Sequence, residues 1–448
     1  MTSSAPSLPQ QKAQMPARRR RWRWLAAGLL ALLVALAASI LSLGPNIPES
    51  PPPDAPTAAA AHKVTEQITG AQTARGERVH ITLGRRELEG LGALSSEALA
   101  PLRVRARLQP AVTQTGRGVR SRPEAELVVE MSRALGWGLW VNAHALVRPR
   151  DTSEKPDSGD SVPDVALSLG RLPVPQALTR WALDRLWLEL QGEVARPLPL
   201  ARTVRHFSIT DNRVDLTLIN PGRGAALAGL ARAGGATADP AALAAAYCAI
   251  ADTGETDLAV LVRRAAALKL QGGASLPDHN RVLLAAIAMR AVPEYRDKLA
   301  GAALPQVSGC TASEAPLTLM GRPDLAKHWA LSAALAATLG GQVARSMGTW
   351  KELADSTGDG TGFSFVDLAA DRSGERFAIA AVDPKLARAV RIRLGAITEA
   401  QMLPDELLAK PEGLDQAAFE RDYSNVTSPE YTAAVRTIDR LLSNAGVP

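Results

Sequence analysis

Read for the spacing of its apolar positions, the chain changes character twice. From about Arg78 to Asn220 the pattern is one of short β-type runs: 79–83, 102–108, 126–131, 139–146, 165–169, and the pair 204–209 and 214–219. Several alternate apolar and polar with period two, as a half-buried antiparallel strand must. The last pair is the clearest, because Val214, Leu216 and Leu218 share one face while Thr210 to Arg213 supply a polar reversal, which predicts a hairpin. Two helices are expected among the strands, one from about Gly84 carrying Leu88 and Leu91, and one over 175–190 with Leu178, Trp181, Leu186 and Leu190 near helical spacing.

From Gly224 onward the period is helical and alanine dominates. Helices are predicted over 225–233, 240–251, 257–270, 278–291, 324–340, 343–355, 364–380, 384–394, 414–423 and 429–444. Asp239, Asp383 and Ser428 each stand before a proline, an N-cap acceptor ahead of a first-turn proline. No fixed-period repeat makes this half a solenoid. The fold class expected is therefore an α+β domain over 78–221, a mostly antiparallel sheet with two helices, followed by an all-α domain over 222–448.

Ahead of both lies Leu25 to Leu43, an uncharged stretch of Leu, Ala, Val and Ile. About 20 such residues cross a bilayer core, so the pattern predicts one N-terminal transmembrane helix. Arg18 to Arg21 and Arg23 precede it and no Lys or Arg follows until after His62. That asymmetry puts residues 1–24 in the cytoplasm as a basic tail and the body outside, a single-pass inner-membrane protein with a signal-anchor and a periplasmic body. A cleaved signal peptide is the alternative, although the run is longer than a secretory core and ends without a clear cleavage site. Residues 44–77, opening on a Pro- and Ala-rich stretch, read as a spacer. The lipid bilayer, through residues 25–43, is then the first expected partner, with an envelope protein or a lipid as a further one.

Composition changes this little. The net charge of +6 owes much to the early arginine block, so the basic balance reads as topology; no nucleic-acid motif occurs and no nucleic-acid partner is expected. Arg103, Arg105, Arg107, Arg117, Arg120 and Arg122 suit an anionic headgroup or, more simply, a solvated edge strand and loop. Cys248 and Cys310, the only cysteines, are either a disulfide or two small buried residues. Trp137, Trp140, Trp181 and Trp187 read as core or membrane-proximal packing, with a sugar platform as the lesser alternative.

The candidate chemistry lies in residues 324–374. His328 and Ser332 are four apart and share a face with Asp324; Glu352 and Asp355 are three apart on the next helix; Asp367 and Asp371 are four apart on the third. Three helices can thus aim one imidazole and up to four carboxylates at a point, with Lys351 beside them. Such a set suits a divalent metal held by nitrogen and oxygen, with water in an open position. It equally suits a buried hydrogen-bond network fixing how three thinly packed, Ala-rich helices cross, or a ligand site without chemistry. His328, Glu352, Asp355, Asp367 and Asp371 are the candidate catalytic residues, the first three the candidate metal ligands; Ser332, Lys351 and Ser364 are candidate ligand-binding residues. Ser364 has a simpler reading as the N-cap of the third helix, three residues before Asp367. No His-Glu-x-x-His, Gly-x-Ser-x-Gly or Walker loop occurs. His62, His80, His144, His206 and His279 show no metal-ligand spacing with one another along the chain.

Two resemblances accompany these patterns. Ile81 to Leu91, the strands after it and Ser168 to Pro175 resemble the YpmS-like exported bacterial domains, which implies an envelope domain able to take up an acyl chain or a partner. The runs from Asp324 to Leu335, Gly348 to Ser356 and Gly360 to Gly374 resemble the YfiM-like envelope proteins and, more remotely, the VanZ-like membrane family. The second resemblance implies that His328, Ser332, Lys351, Glu352, Asp355, Phe363, Ser364, Asp367 and Asp371 form one site. Trp329 after the histidine and the longer connection before Gly362 depart from that pattern. The function expected is binding or scaffolding in the envelope, a metal-dependent hydrolase acting on an envelope substrate being the alternative.

Overall fold

A computed structural model describes residues 17–70, 76–115, 118–150, 162–191, 197–220, 239–269, 274–358 and 360–448. The helix expected over 225–233, Arg117, and the side chains of Arg120 and Arg122 lie outside the described residues.

The β-type runs form two antiparallel sheets. Strands β1 (Leu41–Ser42), β3 (Leu102–Thr115), β4 (Gly118–Gly136), β5 (Leu139–Arg148), β6 (Asp164–Leu169) and β7 (Leu172–Pro173) make a six-stranded sheet in the order β3-β4-β5-β6-β7, with β1 added on β5. Strands β2 (Arg78–Gly84), β8 (Val204–Ile209) and β9 (Arg213–Ile219) make a three-stranded sheet in the order β2-β9-β8. The expected β8–β9 hairpin closes at Thr210, whose N–H donates to the Arg213 carbonyl at 2.9 Å. Between the sheets lies a small core of Leu88, Ala125, Ile209 and Val214, with Phe207, Leu108 and Leu127 packed against it. Leu88 belongs to α3 (Arg85–Ala98); α4 (Gln176–Leu190) and the single turn α5 (Leu200–Thr203) complete this half.

The helical half is built on α6 (Pro240–Ala251), α7 (Leu258–Ala267), α8 (Leu276–Ala291), α9 (Pro323–Leu339), α10 (Gly341–Asp355), α11 (Phe365–Val382), α12 (Ala387–Leu394), α13 (Gln416–Tyr423) and α14 (Pro429–Asn444), joined by shorter turns. Asp239 and Ser428 cap α6 and α14 as expected, accepting from Ala241 and Tyr431 N–H groups. Asp383 instead accepts from Lys385 and Leu386, and α12 starts only at Ala387. Alanine and glycine let the helices approach closely: a Cβ on Gly374 of α11 would stand 2.1 Å from the Trp329 carbonyl oxygen of α9. Phe363, Phe365, Phe419, Tyr423 and Tyr431 seal one end of the bundle, Phe363 stacking on Phe419 at 4.5 Å. Cys248 and Cys310 are joined as a disulfide, which ties α6 to the turns before α9.

The expected transmembrane helix is corrected. Apolar residues do form α1 (Ala17–Ile40), but the helix stops at Ile40, and Leu41 and Ser42 leave it to pair with Val141 and Trp140 of β5. The Ser39 carbonyl accepts from the Arg171 N–H, so the end of the apolar run is drawn into the sheet. Leu25 to Ile40 spans only about 24 Å at the helical rise, against a hydrocarbon core of about 30 Å. Among the described residues no helix is long and apolar enough to cross a membrane. The single-pass, signal-anchor reading and the placement in an inner membrane with a periplasmic body fall with it.

Residues 44–77 are not a plain spacer either. The Asn46 N–H donates to Ser132 and Asn142 of the sheet, and residues 55–70 form α2 (Ala55–Gly70), with Ala58, Ala61 and Val64 fully buried. An Ala-rich run that looks too small to build a core serves where another backbone comes close: a Cβ on Gly90 of α3 would lie 2.7 Å from the Thr57 carbonyl oxygen. Trp137, at the β4–β5 turn, is 100% exposed and Trp181 is largely so, which corrects their reading as core residues.

Candidate functional site

Helices α9, α10 and α11 lie side by side, and the polar residues predicted on them meet. Ser364 caps α11 as expected, its hydroxyl accepting from the Asp367 N–H at 3.0 Å. This fixes the first turn of α11 and sets Asp367 and Asp371, one turn apart, toward α9. Opposite them on α9, His328 and Ser332 share one face. Asp371 Oδ1 accepts from Ser332 Oγ at 2.7 Å and lies 3.1 Å from His328 Nδ1. His328 Nε2 lies 3.4 Å from Asp367 Oδ2, so the imidazole is clamped between two carboxylates.

α10 supplies the third wall. Glu352 is fully buried, one oxygen accepting from the Ser364 N–H at 3.0 Å and the other from Lys351 Nζ at 3.1 Å. Lys351 Nζ also donates to Asp355 Oδ2 at 2.6 Å and stands 3.5 Å from His328 Nε2. Lys351 and Asp355 are half-exposed and form the rim, while Glu352 and Asp371 form the floor. The eight candidate catalytic and ligand-binding residues thus belong to one cluster, whereas Phe363, the ninth residue that the resemblance adds, packs among Phe365, Phe419 and Tyr431. Asp324 lies outside the cluster too: it pairs with Arg322 at 2.6 Å.

Two contributors escape a reading by residue type. Arg322, held by Asp324 and Glu412, reaches to 3.8 Å from Asp367 Oδ1 and brings a positive charge to the rim. Gly348 of α10 faces Asp371: a Cβ there would fall 2.8 Å from Asp371 Oδ2, so any other residue would push that carboxylate from its place. A lone glycine inside a helical pattern is the signal that marks such a close approach.

The electrostatics follow from burial against charge. Burial works to lower the pKa of His328, but Asp371, by charge and hydrogen bond, and Asp367 outweigh it and push the imidazole up to about 9, so it is a cation at neutral pH. Burial raises Glu352 to about 7, against the pull of Lys351 and His328. Burial also raises Asp367. Lys351 is driven the other way from what burial alone would do, because Glu352 and Asp355 hold its proton. Two cations therefore face four carboxylates at bonding distances, one of which, Glu352, titrates near neutrality.

His328, Glu352 and Asp371 each offer one ligand atom, all within 4.8 Å of one another, so a group able to hold a metal ion is present. Asp371 Oδ2 and Asp367 Oδ1 are buried without a hydrogen-bond partner. Asp355, expected as a third metal ligand, is not in that group; its carboxylate is taken by Lys351. No family model matches the chain, and no curated protein or solved structure matches it.

Proposed function

We propose that the chain is a binding or scaffolding protein without catalytic chemistry, and that the cluster of α9, α10 and α11 is the ionic knot that sets how these helices cross. The observation that carries this reading is the position of the Lys351 ammonium. It stands 3.1 Å from Glu352 and 2.6 Å from Asp355, where a cation shared by these carboxylates would have to sit. The cluster thus holds its own counter-ion. Small residues alone give helices little to fix their register, and a buried ionic network supplies it.

The orphaned Asp371 Oδ2 favours one other reading, a metal-dependent hydrolase. His328, Glu352 and Asp371 would hold a divalent ion, which would supply an activated water; His328 would have to give up its proton and Lys351 its place. Metal content and melting of the full chain, with and without chelator, separate the two. On the scaffolding reading no stoichiometric metal depends on His328, chelator leaves the melting of the helical bundle unchanged, and Lys351→Met lowers the melting temperature because buried Glu352 loses its partner. Stoichiometric metal that chelator removes, that stabilises the fold, and that His328→Ala abolishes would overturn it.

A further inference from the structure

The three-stranded sheet carries a second set of metal-type side chains, far from the helical cluster in sequence and assembled by strand register. His80 of β2 pairs with Thr217 of β9, and Thr217 pairs with His206 of β8. Directly paired residues on antiparallel strands share a face, so the two imidazoles flank Thr217 in one row. In the next row Asp215 of β9 stands between Thr82 and Ser208. The opposite face carries Ile81, Phe207, Leu216, Ile209 and Val214 and is packed toward the core, so the histidine face is the solvent side.

We infer that His80, His206 and Asp215 form a surface site for a transition-metal dication of the Zn²⁺ or Cu²⁺ type. Adjacent strands are about 4.8 Å apart, which puts the two histidine backbones roughly 10 Å from each other across β9. Rotation of both imidazoles inward over Thr217 brings them to an ion between them, at metal–nitrogen distances of about 2.0–2.1 Å. The carboxylate is already turned that way: His80 Nε2 lies 3.9 Å from Asp215 Oδ1. The second shell is in place as well. Thr82 Oγ1 donates to Asp215 Oδ1 at 2.9 Å, Arg213 Nε donates to Asp215 Oδ2 at 2.9 Å, and Thr217 Oγ1 lies 3.2 Å from His80 Nδ1, while Nε2, the nitrogen on the Asp215 side, has only a long 3.4 Å contact with Thr82 Oγ1 to give up to the ion. His206 Nε2 now contacts Ser208 Oγ at 3.2 Å and must rotate off it, which an exposed side chain does freely. Two nitrogens and one oxygen suit zinc or copper, and suit calcium or magnesium poorly.

The test is a titration of the full chain with ZnCl₂ at pH 7.5, followed by calorimetry and by the imidazole NMR signals of the six histidines. The expected result is one equivalent bound, with His80 and His206 shifting together, and loss of that binding in either His80→Ala or His206→Ala at unchanged melting temperature. Asp215→Asn weakens it. Binding that survives both alanine variants, shifts confined to His328, or no binding at micromolar protein would each overturn the inference. Shifts at His328 alone would instead bear on the helical cluster, so the two sites are told apart in one experiment.

Discussion

The His328 clamp makes stability fall as the solution turns alkaline. His328 is raised from 6.5 to about 9 in the folded chain. A raised value means that its stabilisation is fully present below 6.5 and is lost as pH climbs through 9, because the folded state holds a proton that the unfolded chain has released. At about 1.4 kcal/mol per pH unit the full loss is about 3 kcal/mol, or roughly 6–12 °C in melting temperature for a cooperative unit of this size. Glu352, raised to about 7, is half titrated at pH 7 and completes its own change by about pH 8. His279, lowered by burial and by Arg391, acts below 6.5. The window from pH 8 to 9.5 therefore isolates His328. Urea unfolding read by Trp329 and Trp350, both buried in this bundle, reports it. Asp371→Asn removes the anion responsible, so the variant, though less stable, should show a much flatter profile. Constant wild-type stability across the window, or the same slope in Asp371→Asn, would refute the reasoning.

Three further outcomes are expected. Glu352→Gln abolishes the cost of ionising a buried carboxyl, so relative to the wild type it gains stability between pH 4.5 and 7 and holds that gain, up to about 3 kcal/mol, at pH 8; urea unfolding at pH 4.5 and pH 8 checks it. Gly374→Ala gains about 1 kcal/mol in helix propensity but drives a methyl into the Trp329 carbonyl at 2.1 Å, so the net effect is destabilising, measured by thermal melting. Thiol titration of the unreduced, denatured chain finds no free thiol, and reduction lowers stability by about 4 kcal/mol for a 62-residue separation in the chain-entropy estimate.

Much of the architecture was legible because side-chain period states which face is buried. The β8–β9 hairpin and the helices over 240–251 and 429–444 follow from alternation, from an N-cap and from a first-turn proline, all local signals. The site was legible for the same reason: residues three and four apart on a helix share a face, so only the meeting of three helices had to be supposed. What escaped was decided by partners distant in the chain. Ala55 to Gly70 has too little apolar surface to advertise a core and becomes a helix because α3 and α10 come close to it. The apolar run from Leu25 to Leu43 looks continuous, and only pairing with β5 ends its helix at Ile40. His80 and His206 have no meaningful spacing in sequence; a shared register partner, Thr217, brings them into one row.

The position of α10 gives the ionic knot a role beyond its own bundle. Its outer face receives the N-terminal half: Trp350 Nε1 donates to the Glu97 carboxylate at 2.7 Å and the Gln342 amide to the Glu97 carbonyl at 3.0 Å. Its inner face carries Lys351, Glu352 and Asp355 into the cluster. Trp350 and Lys351 are neighbours, so the backbone that positions the ammonium is the backbone that docks Glu97. Coupling between distant sites requires such a contiguous element with contacts on both sides. If α10 transmits the state of the cluster, Glu97→Gln lowers the melting temperature and also shifts the His328 titration, whereas a purely local contact at Glu97 lowers the melting temperature and leaves that titration where it was. Imidazole NMR of His328 in the variant decides between them.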